Sequence, residues 1–355
     1  MAVNCLIVDV MCKPERVSAL SDLQWDLLIR QARRSDILAK LASVLEEQEL
    51  MACVPEKAKA QLQSIQILAT KHEQVIRWEV NRILEALNEV DVDVILLKGA
   101  AYLLADLPVC RGRLFSDVDI LVPKDSLEIV ERALLINGWI SIKLSDYDQR
   151  YYRKWMQELP PLMHRRRQTV IDVHHRILPE TSKAQPDAMK MIDNTVALNE
   201  AGSLRVLSNI DMVLHSATHL FYEGEFDHGL RDLLDLRDLI TQFSQQSGFW
   251  EQLLQRAEEL ELQIPLYYAT RYTHRLLTLP VPDFVFSSLK KPWHYKIMDI
   301  LFSQALISHH QSCDVRFTGL IHWLLYVRSH YLRMPLYLLI PHLLRKALKG
   351  KDEED

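Results

Sequence analysis

From Ser21 onward, apolar residues recur at helical spacing: Leu23, Trp25, Leu27, Leu28 and Ala32, then Ile37, Leu38, Leu41, Val44 and Leu45. Ser21 and Asp22 supply an N-cap for the first of these helices. After Pro55 a long stretch carries Leu62, Ile65, Leu68, Val75, Ile76, Val80, Ile83, Leu84 and Leu87 on the same period. The pattern predicts helix from about residue 20 to 90. At Asp91 the texture changes. Val92, Val94, Ile95, Leu96 and Leu97 form a short β-branched run that ends in a turn at Lys98-Gly99, and Ala100 to Leu107 reads as a short helix stopped by Pro108. A second strand runs through Leu114, Phe115, Val118, Ile120, Leu121 and Val122. A helix from Ser126 to Ile136 follows, with Gly138 as its C′ residue. Trp139 to Leu144 and Thr169 to Ile177 are further strand candidates, whereas residues 147–167 show no clear period.

Beyond Pro186 the helical period returns, in Met212, Val213, Leu214, Ala217 and Leu220 and again in Leu230, Leu233, Leu234, Leu236, Leu239 and Ile240, and persists nearly to the end. The charged tail Lys349 to Asp355 is expected to fray. The chain therefore divides into an N-terminal helical segment (1–90), a small α/β core (91–180) and a C-terminal helical domain (181–355). No repeat or low-complexity tract interrupts it.

Composition sharpens this outline. Of 355 residues 48% are apolar or aromatic and only 9 are glycine, which favours a helix-rich α+β protein with a sizeable core over a glycine-punctuated β-sandwich. The formal charge of −5 offers no global field for duplex nucleic acid. The five cysteines, Cys5, Cys12, Cys53, Cys110 and Cys313, form no CxxC pair, so neither a disulfide framework nor a zinc site is expected and a cytoplasmic location fits. Met1 to Cys12 lack the marks of a signal peptide. The uncharged stretches Phe317 to Val327 and Met334 to Leu344 reach about half the roughly 20 residues of a transmembrane helix.

The chemistry concentrates around Arg113, Ser116, Asp117, Val118 and Asp119. In a strand, residues two apart share a face, so Asp117 and Asp119 project together while Val118 and Ile120 face the other way. Paired carboxylates repel unless a multivalent cation lies between them, and Mg²⁺, which takes a few carboxylates plus phosphate oxygens, suits them. Asp172 sits in another strand-like run and would complete a three-carboxylate site if its strand adjoins the first. Two Mg²⁺ ions about 3.5 to 4 Å apart would then activate an attacking hydroxyl and stabilise a leaving pyrophosphate. Upstream, Leu97, Lys98, Gly99 and Ala100 read as strand, glycine turn and helix start, an arrangement that aims backbone N–H groups at a phosphate.

Strand, glycine turn, helix, Asp-x-Asp strand and later strand-borne Asp follow in an order that resembles the nucleotidyltransferase fold of the DNA polymerase beta superfamily. More narrowly, Leu97 to Ala101, the block from Arg113 to Val122, Ile171 to His174, and His215, His219 and Leu230 to Leu236 resemble the bacterial nucleotidyltransferase family proteins, over about residues 20 to 245. The resemblance implies a small mixed sheet between helical segments. It also implies transfer of a nucleoside monophosphate from ATP or another nucleoside triphosphate to a hydroxyl-bearing acceptor, with pyrophosphate released. Asp117, Asp119 and Asp172 take the metal and catalytic positions, and Gly99 and Ala100 the glycine turn. Ala100 stands where the superfamily usually has Ser or Gly, and the gap from Gly99 to Asp117 is longer than usual.

Lys98, Arg113 and Ser116 are candidates for triphosphate contacts, each against an ordinary role in a turn or on the surface. His174, on the Asp172 face, is a substrate-side or structural histidine. His215, His219, Asp232 and Asp235 read first as a buried polar clamp between two helices and second as a metal cluster. A dense basic-aromatic stretch, with Arg150, Arg153, Lys154, Arg165, Arg166 and Arg167 among Tyr147, Tyr151, Tyr152 and Trp155, suits a nucleotide base, an anionic acceptor or RNA, and equally a solvated loop. The C-terminal region around Trp323, Tyr326, Tyr331 and Tyr337 is read as packing on its own domain, with a membrane surface or a partner as alternatives. Two functional alternatives stand beside the transferase: an inert nucleotide-binding or regulatory module of the same fold, and a metal-dependent glycosyltransferase whose Asp-x-Asp holds a nucleotide sugar. The acceptor, whether a sugar phosphate, an antibiotic or other small molecule, a peptide or protein side chain, or an RNA end, is not legible in these residues.

Overall fold

The computed structural model describes residues 5–142, 149, 152–153, 155–222, 224–335 and 337. The calls on Tyr147, Arg150, Tyr151, Lys154, the end of the strand expected to reach Leu144, and most of the stretch from Met334 to Asp355 therefore lie outside the described residues.

The N-terminal segment forms α1 (Leu6–Cys12), α2 (Asp22–Arg34), α3 (Leu38–Glu47) and the 31-residue α4 (Glu56–Ala86). At the start of α2, the Ser21 hydroxyl accepts from the Gln24 amide N–H and the Gln24 side chain accepts from the Ser21 N–H, a reciprocal cap. There follow β1 (Val94–Leu96), α5 (Lys98–Leu104), β2 (Asp117–Leu121), α6 (Leu127–Ile136), β3 (Trp139–Ser141), β4 (Leu162–His164) and β5 (Val170–His174). Asn137 caps α6 and Gly138, at φ +98°, turns the chain in the left-handed region that the C′ position requires.

The C-terminal half is α7 (Ala188–Ile192), β6 (Thr195–Ala197), β7 (Leu204–Leu207), α8 (Asn209–Tyr222), α9 (Gly229–Phe243), α10 (Phe249–Glu259), α11 (Gln263–Leu277), α12 (Asp283–Ser288), α13 (Tyr295–Ala305) and α14 (Thr318–Arg333). The strands make a seven-stranded mixed sheet in the order β3-β4-β5-β2-β1-β7-β6. The fold is helix-rich α+β. One expectation needs correction. The region beyond residue 180 is not purely helical, because β7 pairs in parallel with β1 and carries β6 at the sheet edge. Strands of three and four residues are too short for alternation to register in sequence, and pairing with a buried neighbour, not local period, makes them strands.

One buried cluster runs from Cys5 and Trp25 through Ile95, Ile120 and Val173 to Phe221, Leu233, Tyr268 and Phe302. Cys5 and Cys313, 308 positions apart, bring their sulfurs to 2.8 Å and tie α1 to the segment ahead of α14. Among the described residues, no helix is long and apolar enough to cross a membrane.

The basic-aromatic stretch resolves into structural pairs where it is described. Arg167 clamps the buried Glu79 through two bonds of 2.8 and 2.7 Å and stacks over Trp139 and Trp78. Arg153 pairs with Glu131 through 2.9 and 2.6 Å contacts. Arg165 and Arg166 are exposed on the turn after β4. An ion pair already made leaves Arg153 and Arg167 little capacity for a ligand.

Candidate active site

β2 and β5 run parallel with Asp119 directly opposite Asp172, Asp117 opposite Val170 and Leu121 opposite His174. Paired residues in adjacent strands share a face, so Asp117, Asp119, Asp172 and His174 project from the same side of the sheet. This is the arrangement expected if the two strands were neighbours. β1 lies on the other flank of β2, and the Leu97 N–H donates to the Asp119 carbonyl at 2.9 Å. The turn from β1 into α5 thereby delivers Lys98 to the site. Its backbone is left-handed at φ +45°, a strained setting for a residue with a Cβ, and its Nζ reaches Asp119 Oδ1 at 3.0 Å.

A chain of alternating charge follows. His174 Nε2 meets the same Asp119 oxygen at 3.0 Å, and His174 Nδ1 meets Glu158 Oε2 at 3.1 Å. Burial alone would raise the Asp119 carboxyl, but Lys98 and His174 overcome it and hold the group well below the usual carboxylate range. Burial would likewise lower His174, yet Glu158 and Asp119 lift it above its ordinary value, so an imidazolium donates to both carboxylates.

Asp172 differs. Its Oδ1 is buried and has no hydrogen-bond partner. Burial first, then the neighbouring Asp119 and Glu158, push its carboxyl up to about 7. An orphaned buried oxygen beside further carboxylates is donor chemistry of the kind a hard divalent cation uses. Among the described residues no three His, Cys, Asp or Glu side chains already converge on one point. Oδ1 of Asp119 is instead held by Lys98 and His174.

Two cavities adjoin at Lys98 and His219. The smaller, about 270 Å³, is walled by Gly99, Arg113, Ser116, Asp117, Asp119 and Arg231, and the larger, about 490 Å³, by Glu158, Asp172, His174 and residues of α8 and α14. Ser116 donates to Asp117 Oδ1 at 2.8 Å. Of the residues expected on the triphosphate, Lys98, Gly99, Arg113 and Ser116 reach the smaller cavity, whereas Ala100 packs into the core.

Arg113 is not a surface cation. Its Nε donates to the buried Asp235 at 2.9 Å, and its guanidinium lies so close over Gly99 that a Cβ there would come within 2.6 Å of Nη1. Gly99 is thus needed for a close approach, not for a left-handed φ. Asp235 and Asp232 accordingly serve cations, Arg113 and Arg231, rather than a metal cluster with His215 and His219. His215 is buried, and burial lowers its imidazole well below the ordinary value.

Glu158 escaped the sequence reading because it lies within an aperiodic stretch; a single bridge to His174 places it in the site. Arg231 entered that reading only within a longer block, and its place on a cavity wall follows from the packing of α9 against α8.

No curated protein matches the chain. A family described as uncharacterised nucleotidyltransferase matches residues 21–278, nearly three quarters of the length, from α2 through the sheet and the helices α8 and α9 to the end of α11. By that match, which spans the three carboxylates, Lys98, Gly99 and Arg113, the chain belongs to the uncharacterised nucleotidyltransferase family.

Proposed function

We propose that the protein transfers a nucleoside monophosphate from a nucleoside triphosphate to a hydroxyl-bearing acceptor in a Mg²⁺-dependent reaction. The observation that carries this is the placement of Asp119 and Asp172 opposite each other on adjacent parallel strands, with Asp117 on the same face, where two cavities meet. Asp117, Asp119 and Asp172 would hold Mg²⁺, which when bound polarises the acceptor hydroxyl and neutralises charge on the departing pyrophosphate. The smaller cavity, with Lys98, Arg113 and Arg231 on its walls, suits the triphosphate, and the larger one the acceptor. The acceptor oxygen attacks the α-phosphorus, the bond to the β-phosphate bridging oxygen breaks, and pyrophosphate leaves with that electron pair. Oδ1 of Asp172, buried on the acceptor side, receives the hydroxyl proton. Lys98 Nζ keeps positive charge at the junction of the cavities.

The second reading, a nucleotide-binding module without turnover, draws on the Lys98 ammonium, which already neutralises Asp119. One experiment separates them. Calorimetric titration with each nucleoside triphosphate, with and without Mg²⁺, is run on wild type and on Asp117→Asn with Asp119→Asn, followed by pyrophosphate release with an acceptor panel. Mg²⁺-dependent binding lost in the double variant, together with pyrophosphate release, supports the transferase. Binding that survives both substitutions refutes the metal assignment, and binding without release under any acceptor favours the inert module.

A further inference from the structure

Helix α14 is apolar on two faces. Ile321, Leu325 and Ser329 are buried against the rest of the fold. Leu320, Trp323, Leu324, Val327 and Tyr331 fall within an arc of about 100° at 3.6 residues per turn. Along that arc Leu320 is 52% exposed, Trp323 58% and Tyr331 46%. Phe317, at the helix start, is 59% exposed with Arg316 stacked on its ring. The adjoining helix α13 exposes Ile297 and Ile300, and just ahead of it Trp293 is 90% exposed, with Lys290, Lys291 and Lys296 nearby in sequence. Continuous outward apolar stripes of this kind mark a surface that something covers.

Charge identifies the occupant. From Val315 to Lys351 the sequence contains no Asp or Glu and seven Arg or Lys, so the formal −5 of the chain divides into +7 here and −12 elsewhere. Exposed Trp, Tyr and Leu on one helical arc, set in the longest acid-free stretch of an acidic protein, is the composition of a helix that lies in the plane of an anionic lipid surface. We infer that α14 docks the protein on an anionic bilayer through Leu320, Trp323, Leu324 and Tyr331, with Arg316 among the headgroups. The inference is independent of the chemistry proposed above. It does bring the site near the lipid, because Tyr326, Ser329, His330 and Arg333 of the same helix line the larger cavity, one helix diameter of about 10 Å away.

The test is flotation of the full-length protein with vesicles of equal parts phosphatidylglycerol and phosphatidylcholine, or of phosphatidylcholine alone. Co-flotation with the anionic vesicles at low salt, weakened at high salt, is expected. Trp323→Glu with Leu324→Glu should lower the partition coefficient at least about tenfold, and Arg316→Glu should weaken binding to anionic vesicles by charge alone. All three side chains are exposed, and the melting temperature of each variant checks that the fold persists. A wild type that stays unbound with both vesicle types overturns the inference, as does a double variant that floats as well as wild type. So does a dimer that the double variant converts to monomer in light scattering without any lipid binding, since the surface would then belong to a second copy.

Discussion

Asp172→Asn is expected to stabilise the ligand-free protein while abolishing its response to Mg²⁺ and nucleotide. The Asp172 carboxyl is pushed from an ordinary 3.8 up to about 7 by burial and by Asp119 and Glu158. Between those two values the unfolded chain releases the proton and the folded chain keeps it, so the folded state binds more protons and stability falls as pH rises, levelling off above about 7. Roughly three units at 1.36 kcal/mol each give about 4 kcal/mol, and partial solvent access to the side chain reduces this to ~2 kcal/mol. Asn reproduces the neutral form at every pH. The variant should therefore melt like wild type at pH 4 and a few degrees higher at pH 8. Differential scanning fluorimetry across pH, with and without Mg²⁺ and triphosphate, reads both effects. Identical melting curves for the two proteins at pH 8 would refute the account of a buried, unpartnered carboxyl, and an undiminished Mg²⁺-nucleotide shift in the variant would remove Asp172 from the metal site.

Other outcomes follow from the same geometry. Lys98→Met removes one of the two cations, Lys98 and His174, that meet the buried Asp119 carboxylate, so the ligand-free protein should lose ~1–3 kcal/mol in urea unfolding, and triphosphate affinity should fall in calorimetry. Gly99→Ala would bring a Cβ within 2.6 Å of Arg113 Nη1 and must displace the buried guanidinium, so a loss of ~1–3 kcal/mol with weakened nucleotide binding is expected; unchanged stability would mean that the guanidinium moves aside while Nε keeps its bond to Asp235. Arg167→Ala strands Glu79 as an unpaired buried charge, which should cost about 3 kcal/mol and leave the Mg²⁺-nucleotide affinity of the folded protein intact.

Much of this protein is legible one segment at a time. The helical period from Leu23 to Leu87, the cap at Ser21, the C′ glycine at 138 and the β-branched runs around Ile95, Ile120 and Ile171 are each set by neighbours within a few residues. The period of two puts Asp117 and Asp119 on one face, and Asp172 with His174 on another, before any partner is known. What the chain's order alone leaves open is which distant pieces meet. That β5 lies beside β2 in the register that sets Asp172 opposite Asp119 depends on burying one face of every strand at once. The bond of Arg113 to Asp235, 122 positions later, fixes that cation on the cavity wall, and the bonds of Arg167 to Glu79, 88 positions earlier, make it an internal support. Glu158 enters the site through one bridge to His174, and β6 and β7 are strands only because β1 offers an unpaired edge. Local conformation follows from short-range sterics and hydrogen bonds. Pairing between segments is chosen by the packing of the whole core, which no short window of sequence contains.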